Sequence, residues 1–105
     1  VIAGKIPAGD PHAPVVTKYK KLYEKKYGKE VSVFGGHAWD ALYQLAAALE
    51  AAGPDRAKIR DYLANLQKFV GNNGIFNRSS KDHVGLGKDS YVMVEVKNGD
   101  WSILK

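Results

Sequence analysis

The first part of the chain carries its hydrophobic residues at helical spacing. Between Ala13 and Tyr27 the apolar side chains recur every three or four positions, and lysines fill most of the positions between them. This spacing is typical of an amphipathic helix. Because Gly28 suits the residue that follows a helix, the pattern predicts a first helix over residues 13–27. The predicted buried stripe consists of Val15, Val16, Tyr19, Leu22 and Tyr23.

The next stretch, FGGHAWDALYQLAAALEAAG at residues 34–53, has almost no polar face. It predicts a second helix over residues 37–52, ended by Gly53, with a connector before it. A helix of this composition must be covered on nearly all sides. The polar residues that interrupt it after His37 are Asp40, Gln44 and Glu50.

A third helix is predicted over residues 54–68. Pro54 and Asp55 suit its first turn, because proline fits that position and an acidic residue favours the helix dipole. Its predicted buried stripe consists of Ile59, Tyr62, Leu63 and Leu66.

The last third of the chain changes from helical spacing to loops and alternation. Residues 70–89 are polar and rich in glycine, which predicts a long loop. YVMVEV then alternates strictly, and Asn98-Gly99 is a strong signal for a two-residue turn. These features predict a β-hairpin over residues 90–104. A short strand is also predicted at residues 1–3.

Composition places the chain among small globular proteins. It has 105 residues, of which 45% are hydrophobic, enough for one small core. It contains no cysteine, which excludes disulfides and thiolate metal sites. Its first residue is Val1 rather than methionine, which fits either a processed terminus or an internal part of a longer protein.

The net charge of +5 is concentrated in the first predicted helix. Six lysines between Lys18 and Lys29 face only two glutamates nearby. One interpretation is a stand-alone helical interaction module or nucleic-acid-binding module that uses this basic face. The favoured interpretation is a solvated face opposite the apolar stripe, because the patch lacks arginine and any RNA-binding signature. We therefore expect no nucleic-acid partner.

The sequence offers no catalytic constellation. His12, His37 and His83 fall in three different predicted elements, and no two histidines have metal-ligand spacing. Asp82-His83 lacks a nucleophile in a recognisable context. These observations predict that the chain is not an enzyme and holds neither a metal nor a cofactor.

Several short motifs occur in an order that resembles a known family. They are Y-x-x-x-Y-G from Tyr23 to Gly28 at a helix end, A-W-D-A from Ala38, A-A-G before Pro54, F-x-G-x-x-G from Phe69, K-D-H from Lys81 and N-G-D-W from Asn98. In this order they resemble the C-terminal part of the substrate-binding proteins of branched-chain amino acid type ABC importers. Members of this family, the type I periplasmic binding proteins, usually have tyrosine where this chain has Trp39.

The resemblance implies an α/β family fragment. Family members have two α/β lobes joined by a hinge, with the ligand in the cleft between them. The implied fold here is three helices followed by a C-terminal β-hairpin, without the main parallel sheets. Residues 1–89 would belong to the first lobe, and residues 90–105 would lie near the hinge and the second lobe.

The resemblance also implies a function. The chain would be part of a periplasmic, or otherwise extracytoplasmic, protein that delivers a small molecule to the membrane subunits of an ABC importer. The ligand would be an amino acid or a related carboxylate, and aliphatic and aromatic ligands both remain open. Phe34, in the loop before the second helix, would pack on the ligand. His37, at the helix start, would donate a hydrogen bond or help to bind a carboxylate there.

The apolar second helix leads to one further expectation. The first and third helices can cover only part of it, and the sheet that would cover the remainder lies outside this chain. We therefore expect a homo-oligomer, most simply a symmetric dimer. It would form either by packing helices together or by exchanging the 90–104 hairpin.

Overall fold

The computed structural model describes residues 5–104, in which three helices precede two small antiparallel hairpins. The strand predicted at residues 1–3 lies outside the described residues. The helices are α1, α2 and α3, and the hairpins are formed by β1 with β2 and by β3 with β4. Their bounds are α1 Ala13–Tyr27, α2 Val33–Ala52, α3 Arg56–Ala64, β1 Phe69–Val70, β2 Ile75–Phe76, β3 Val94–Lys97 and β4 Asp100–Ile103.

Helix α1 has the predicted bounds. It ends at Gly28, which adopts the left-handed conformation with φ of 62° and donates its N–H to the Glu24 carbonyl at 2.9 Å. This cap satisfies one of the carbonyls that every helix end leaves without a partner. Val16 and Tyr19 form the buried face of α1.

Helix α2 begins four residues earlier than predicted. Ser32 has an extended backbone, and its hydroxyl accepts a hydrogen bond from the Gly35 N–H at 3.2 Å. This is an N-cap, the arrangement that starts a helix most effectively. The prediction of a connector up to residue 36 was therefore wrong, because the serine cap outweighs the low helix propensity of two glycines. Phe34 lies in the first turn of α2 rather than in a loop, and His37 lies in the second turn.

Helix α3 is shorter than predicted, and a hairpin that was not predicted follows it. The Asp55 side chain caps α3 by accepting from the Lys58 N–H at 3.0 Å, so residue 54 lies outside the helix. The helix stops at Ala64 because the chain turns to pair with a later segment. The Leu66 carbonyl accepts from the Arg78 N–H at 2.7 Å. Just beyond this point, β1 and β2 pair across the turn at residues 71–74.

The terminal hairpin confirms the predicted turn and has shorter strands than predicted. Val94 pairs with Ile103 and Val96 with Trp101. Both residues of the turn have positive φ, 52° at Asn98 and 76° at Gly99, as a two-residue hairpin requires. Tyr91–Met93 alternate in the sequence but do not belong to the strand.

The core lies between α1, α2 and the 66–76 segment, and it is small. Its buried hydrophobic residues are Val16, Tyr19, Ala48, Leu66 and Phe76. The face that α2 buries is the one with its polar residues, since Asp40 and Gln44 are buried there together with Ala48. The leucines of α2 point outward, and Leu42 is 65% exposed.

Candidate functional site

A buried carboxylate organises the turn between β1 and β2. Asp40 is only 2% exposed, and its two oxygens accept hydrogen bonds from the backbone and side-chain N–H groups of two consecutive asparagines. Asn72 donates to Oδ1 from N at 2.7 Å and from Nδ2 at 3.3 Å. Asn73 donates to Oδ2 from N at 3.0 Å and from Nδ2 at 2.8 Å. These bonds fix both asparagine side chains, and with them the shape of the turn.

Close approach of the turn to Asp40 requires glycine at position 71. A Cβ added to Gly71 would lie 2.6 Å from Asp40 Oδ2 and 2.7 Å from Asp40 Cγ. Both distances are far below van der Waals contact, and the carboxylate is held in place by its four donors. The first glycine of the F-x-G-x-x-G motif therefore allows the carboxylate to sit against the backbone.

A cleft of about 270 Å³ opens beside this turn, at the N-terminal end of α2. The start of α1, the start of α2, the two asparagines and residues 89–92 surround it. Its apolar lining includes Ile6, Val16, Val31, Val33 and Val92. Its polar lining includes Asp10, His12, Ser32, Asn72, Asn73, Asp89 and Ser90.

Three residues that line the cleft carry a buried polar atom without a hydrogen-bond partner. Within residues 5–104, four buried side-chain atoms have no hydrogen-bond partner. Three of them, His12 Nε2, Asn72 Oδ1 and Ser90 Oγ, belong to residues that line the cleft. Buried polar atoms are rarely left without partners in folded proteins, so these three atoms are exceptions to the usual pattern.

Tyr19 forms one wall of the cleft and links α1 to α2. Its hydroxyl donates to the Ser32 carbonyl at 3.3 Å, and its ring packs 5.5 Å from that of Trp39. Burial, and secondarily the neighbouring Tyr23, raise the pKa of Tyr19 above the usual value of 10.0. The hydroxyl therefore stays neutral over the whole physiological range.

The two predicted ligand contacts lie outside the cleft. Phe34 is 81% exposed and His37 is exposed, and neither lines the cavity. Their contact with a ligand stays a prediction. The polar cleft residues Asn72 and Ser90 were not predicted, although Asn72 lies within a motif that the sequence makes visible.

Two lysines of α1 lie over tyrosine rings. Lys18 lies over the Tyr43 ring at 5.7 Å and Lys26 over the Tyr27 ring at 5.3 Å.

Within residues 5–104, no group of three histidine, aspartate or glutamate side chains is placed to hold a metal ion.

Comparison with known proteins shows to which family the chain belongs. The family described as periplasmic binding protein matches residues 2–100, which is most of the chain. The chain therefore belongs to the periplasmic binding protein family. No curated protein sequence matches it significantly.

Solved structures support the same assignment. An extracellular ligand-binding receptor from Rhodopseudomonas palustris HaA2 superposes with a TM-score of 0.85 at 26% identity, over 97% of this chain and 31% of that one. A second receptor from Rhodopseudomonas palustris gives 0.77 at 23% identity, over 98% and 31%. The leucine-binding protein LivK from Thermotoga maritima MSB8 gives 0.62 at 29% identity, over 93% and 27%.

The chain spans about 31% of the length of the first of these receptors. Its three helices and two hairpins are thus part of the periplasmic binding fold. Among residues 5–104, no helix combines the length and the apolar character that crossing a membrane requires.

Proposed function

We propose that the chain is part of an extracytoplasmic solute-binding protein that delivers an amino acid or a related carboxylate to an ABC importer. The observation that carries this proposal is the family match over residues 2–100. The similar solved structures support it, since they are named as ligand-binding receptors and, in one case, as a leucine-binding protein. The role is binding and transport rather than catalysis, with a membrane importer as the partner.

Phe34 and His37 are the proposed ligand contacts. They are three positions apart on α2, which places their side chains as neighbours on one face of the helix. Both are exposed, so both side chains are accessible to a ligand held against this face. The Phe34 ring would pack on the apolar part of the ligand, and the His37 imidazole would hydrogen-bond to its polar part.

The alternative role, in which the α1 lysines bind nucleic acid, has less support. Two of these lysines already lie over tyrosine rings, and Lys20 pairs with Glu24 at 3.9 Å one turn along the helix. The basic face contains no arginine, the residue best suited to bidentate hydrogen bonds with phosphate. We therefore propose that the lysines form a solvated helix face.

Calorimetric titration tests the proposed function. A protein that contains this chain together with the remaining part of the two-lobed fold should bind at least one member of a panel of aliphatic amino acids, aromatic amino acids and aromatic carboxylates. The 105-residue chain alone should give little heat with the same panel, because a cleft between two lobes has two walls. Phe34→Ala should weaken binding by the longer protein at least tenfold.

Val84→Ala is the matched control, since Val84 is also an exposed hydrophobic residue but lies in the 79–85 loop. It should leave the affinity unchanged. Failure of the longer protein to bind any member of the panel would overturn the proposed ligand class. Tight one-to-one binding by the 105-residue chain would show that the site is complete within it.

A further inference from the structure

We propose that Asn98 is a site of spontaneous modification: its side-chain amide is lost in a reaction with the next residue, Gly99, and one of the products opens the terminal hairpin. This inference does not depend on the proposed function or ligand. The dipeptide Asn-Gly occurs twice in the chain, at residues 73–74 and 98–99. Glycine has no side chain beside the attacking nitrogen and rotates freely, so this dipeptide offers the reaction little steric hindrance. The fold places the two copies in opposite surroundings.

The reaction at Asn98 is an intramolecular substitution at the side-chain carbonyl. The backbone nitrogen of Gly99 loses its proton to hydroxide and attacks Asn98 Cγ. The N–Cγ bond forms, the Cγ–Nδ2 bond breaks, and the side-chain nitrogen leaves as ammonia after taking a proton from water, which regenerates hydroxide. Water then opens the cyclic imide at either of its two carbonyl groups. The products are aspartate and isoaspartate at position 98, and no oxidant or reductant takes part.

The turn of the terminal hairpin leaves these reacting groups accessible. Asn98 and Gly99 are both exposed. The last backbone pair of the hairpin is Lys97 with Asp100, so the Gly99 nitrogen lies outside the paired strands. Among the described residues, no atom beyond the chain neighbours would lie within 4 Å of a Cβ added to Gly99. Hydroxide and water can therefore reach the turn, and there is room for the rotation that brings the reacting atoms together.

The other Asn-Gly is held in place by the fold. Asn73 donates to Asp40 Oδ2 from Nδ2 at 2.8 Å and from its backbone nitrogen at 3.0 Å, and Asp40 is buried. Gly74 is buried as well, and a Cβ added to it would lie 2.5 Å from Ser90 Oγ and 2.8 Å from Leu86 Cδ2. Rotation of the Asn73 side chain toward the Gly74 nitrogen therefore requires local opening of this packed turn. The fold protects this copy.

The two products at position 98 have different effects on the hairpin. Aspartate leaves the backbone unchanged, and Asp-Gly suits a two-residue turn as Asn-Gly does. Isoaspartate carries the backbone through the former side chain, which adds a carbon atom to a turn that has positive φ at both residues. That extra atom disturbs the pairing of Lys97 with Asp100. Because a sheet of two strands is only marginally stable in water, isoaspartate should open the hairpin.

Peptide mapping by mass spectrometry tests the proposal. The 105-residue chain is kept in mildly alkaline buffer beside a matched sample unfolded in guanidinium chloride. Both are then digested briefly at acidic pH, where the reaction stops. The mass gain from replacing NH2 by OH is followed in the peptides that contain Asn73 and Asn98. Asn98 should react at least tenfold faster than Asn73 in the folded chain, and at a similar rate in the unfolded chain. Equal rates in the folded chain, or tenfold protection of Asn98 by folding, would overturn the proposal.

Two variants and one control separate the chemistry from the fold. Gly99→Ala should slow the reaction of Asn98 several-fold, because the added methyl group hinders the attack whether or not the hairpin stays paired. Asp40→Asn should bring the rate at Asn73 close to its rate in the unfolded chain and leave Asn98 unchanged, since an amide cannot accept from all four donors. Asp61→Asn, at an exposed carboxylate, should change neither rate. An unchanged rate at Asn73 in Asp40→Asn would contradict the protection assigned to Asp40.

Hydrogen exchange tests the effect on the hairpin. The modified chains are separated by chromatography, and isoaspartate is distinguished from aspartate by enzymatic methylation of its carboxylate. The aspartyl form should keep the amide protection of β3 and β4, and the isoaspartyl form should lose it. Equal protection in the two forms would exclude opening of the hairpin by this modification.

Discussion

Asp40 combines two properties that make its side chain important for the stability of the fold. It is almost completely removed from water, and it accepts from four N–H groups that lie 32 and 33 residues further along the sequence. A buried charge is costly unless it is fully hydrogen-bonded. Four donors match the accepting capacity of a carboxylate, so this group stabilises the contact between α2 and the β1–β2 turn.

We expect Asp40→Ala to lower the free energy of unfolding by about 3 kcal/mol. The substitution leaves backbone and side-chain donors buried without an acceptor, and that cost exceeds the loss of an ordinary hydrogen bond. Urea unfolding followed by circular dichroism measures it. Asp61→Ala, at an exposed carboxylate whose side-chain partner is its neighbour Arg60, should change stability by less than about 0.5 kcal/mol. A similar effect of the two substitutions would contradict the assigned role of Asp40.

Tyr19 predicts a loss of stability in alkaline solution. Its pKa is raised in the folded protein, chiefly by burial, so between the unfolded and folded pKa values the unfolded state alone loses the proton. Stability from this group is complete below about pH 10 and falls as the pH rises above it. Thermal unfolding between pH 9 and pH 11 should show the midpoint falling. The fall should be smaller in Tyr19→Phe and unchanged in Tyr91→Phe, which alters an exposed ring. An identical pH dependence in Tyr19→Phe would contradict this reasoning.

Helix existence could be predicted from the sequence, whereas helix ends depended on single side chains. Spacing and a terminal glycine were sufficient for α1, because both signals are local. The start of α2 was missed since the cap at Ser32 competes with the glycines that follow it. The β1–β2 hairpin was missed for a different reason: its strands are two residues long, and its turn is held by Asp40 from another element. No periodicity within residues 69–76 reports such a distant contact.

The same distinction applies to the candidate site. Phe34 and His37 were suggested by the family resemblance rather than by any local pattern. The unpartnered atoms of the residues that line the cleft could not be predicted from the sequence, because only the fold buries a serine, an asparagine or a histidine away from its partners. The placement of α2 also reversed the expectation from its composition. It buries Asp40 and Gln44, which the periodicity marks as interruptions, and exposes leucines.

The N-cap of α2 should contribute about 1 kcal/mol to the free energy of unfolding. Ser32→Ala removes the hydroxyl that accepts from the Gly35 N–H and leaves the helix start without a side-chain partner. Without this cap the first turn of α2 should fray. The Tyr19 hydroxyl should then become more accessible, because it donates to the Ser32 carbonyl. Hydrogen exchange of the first-turn amides and urea unfolding measure both effects. Ser80→Ala, at an exposed serine in a loop, is the matched control and should leave exchange and stability unchanged.

The described chain is more extended than a domain of its size usually is. Its radius of gyration is 15.5 Å and its extents are 50 × 32 × 22 Å, whereas a compact domain of about 100 residues has a radius near 13 Å. The terminal hairpin pairs with neither β1 nor β2. Lys5 connects the hairpin to the beginning of the described chain, because its ammonium group pairs with Asp100 and donates to the Trp101 carbonyl. The hydrogen bond from Lys5 lowers the pKa of Asp100. An exposed ion pair of this kind is a weak attachment.

We therefore predict that the 105-residue chain forms a symmetric dimer in solution. Leu42, Leu45 and Leu49 are all exposed on α2, together with Tyr43. Contiguous exposed apolar residues of this kind often mark a surface that another protein covers. Burying on the order of 400 Å² of it would contribute roughly 10 kcal/mol before the cost of association. A second copy can cover the row by packing α2 against α2, or by exchanging the β3–β4 hairpin through the glycine-containing segment that precedes it.

Light scattering across a range of concentrations tests this prediction, with Leu42→Lys and Leu45→Lys as paired substitutions on the exposed row. The unmodified chain should show twice the mass of 11.5 kDa at high concentration, and the doubly substituted chain should remain a monomer with its helical circular dichroism intact. A dimer formed by hairpin exchange would differ from one formed by helix packing in how fast subunits exchange between dimers. Its subunits would exchange slowly, because each copy must open before it can recombine. A mass of 11.5 kDa that does not change with concentration would show that the exposed leucines alone do not drive association.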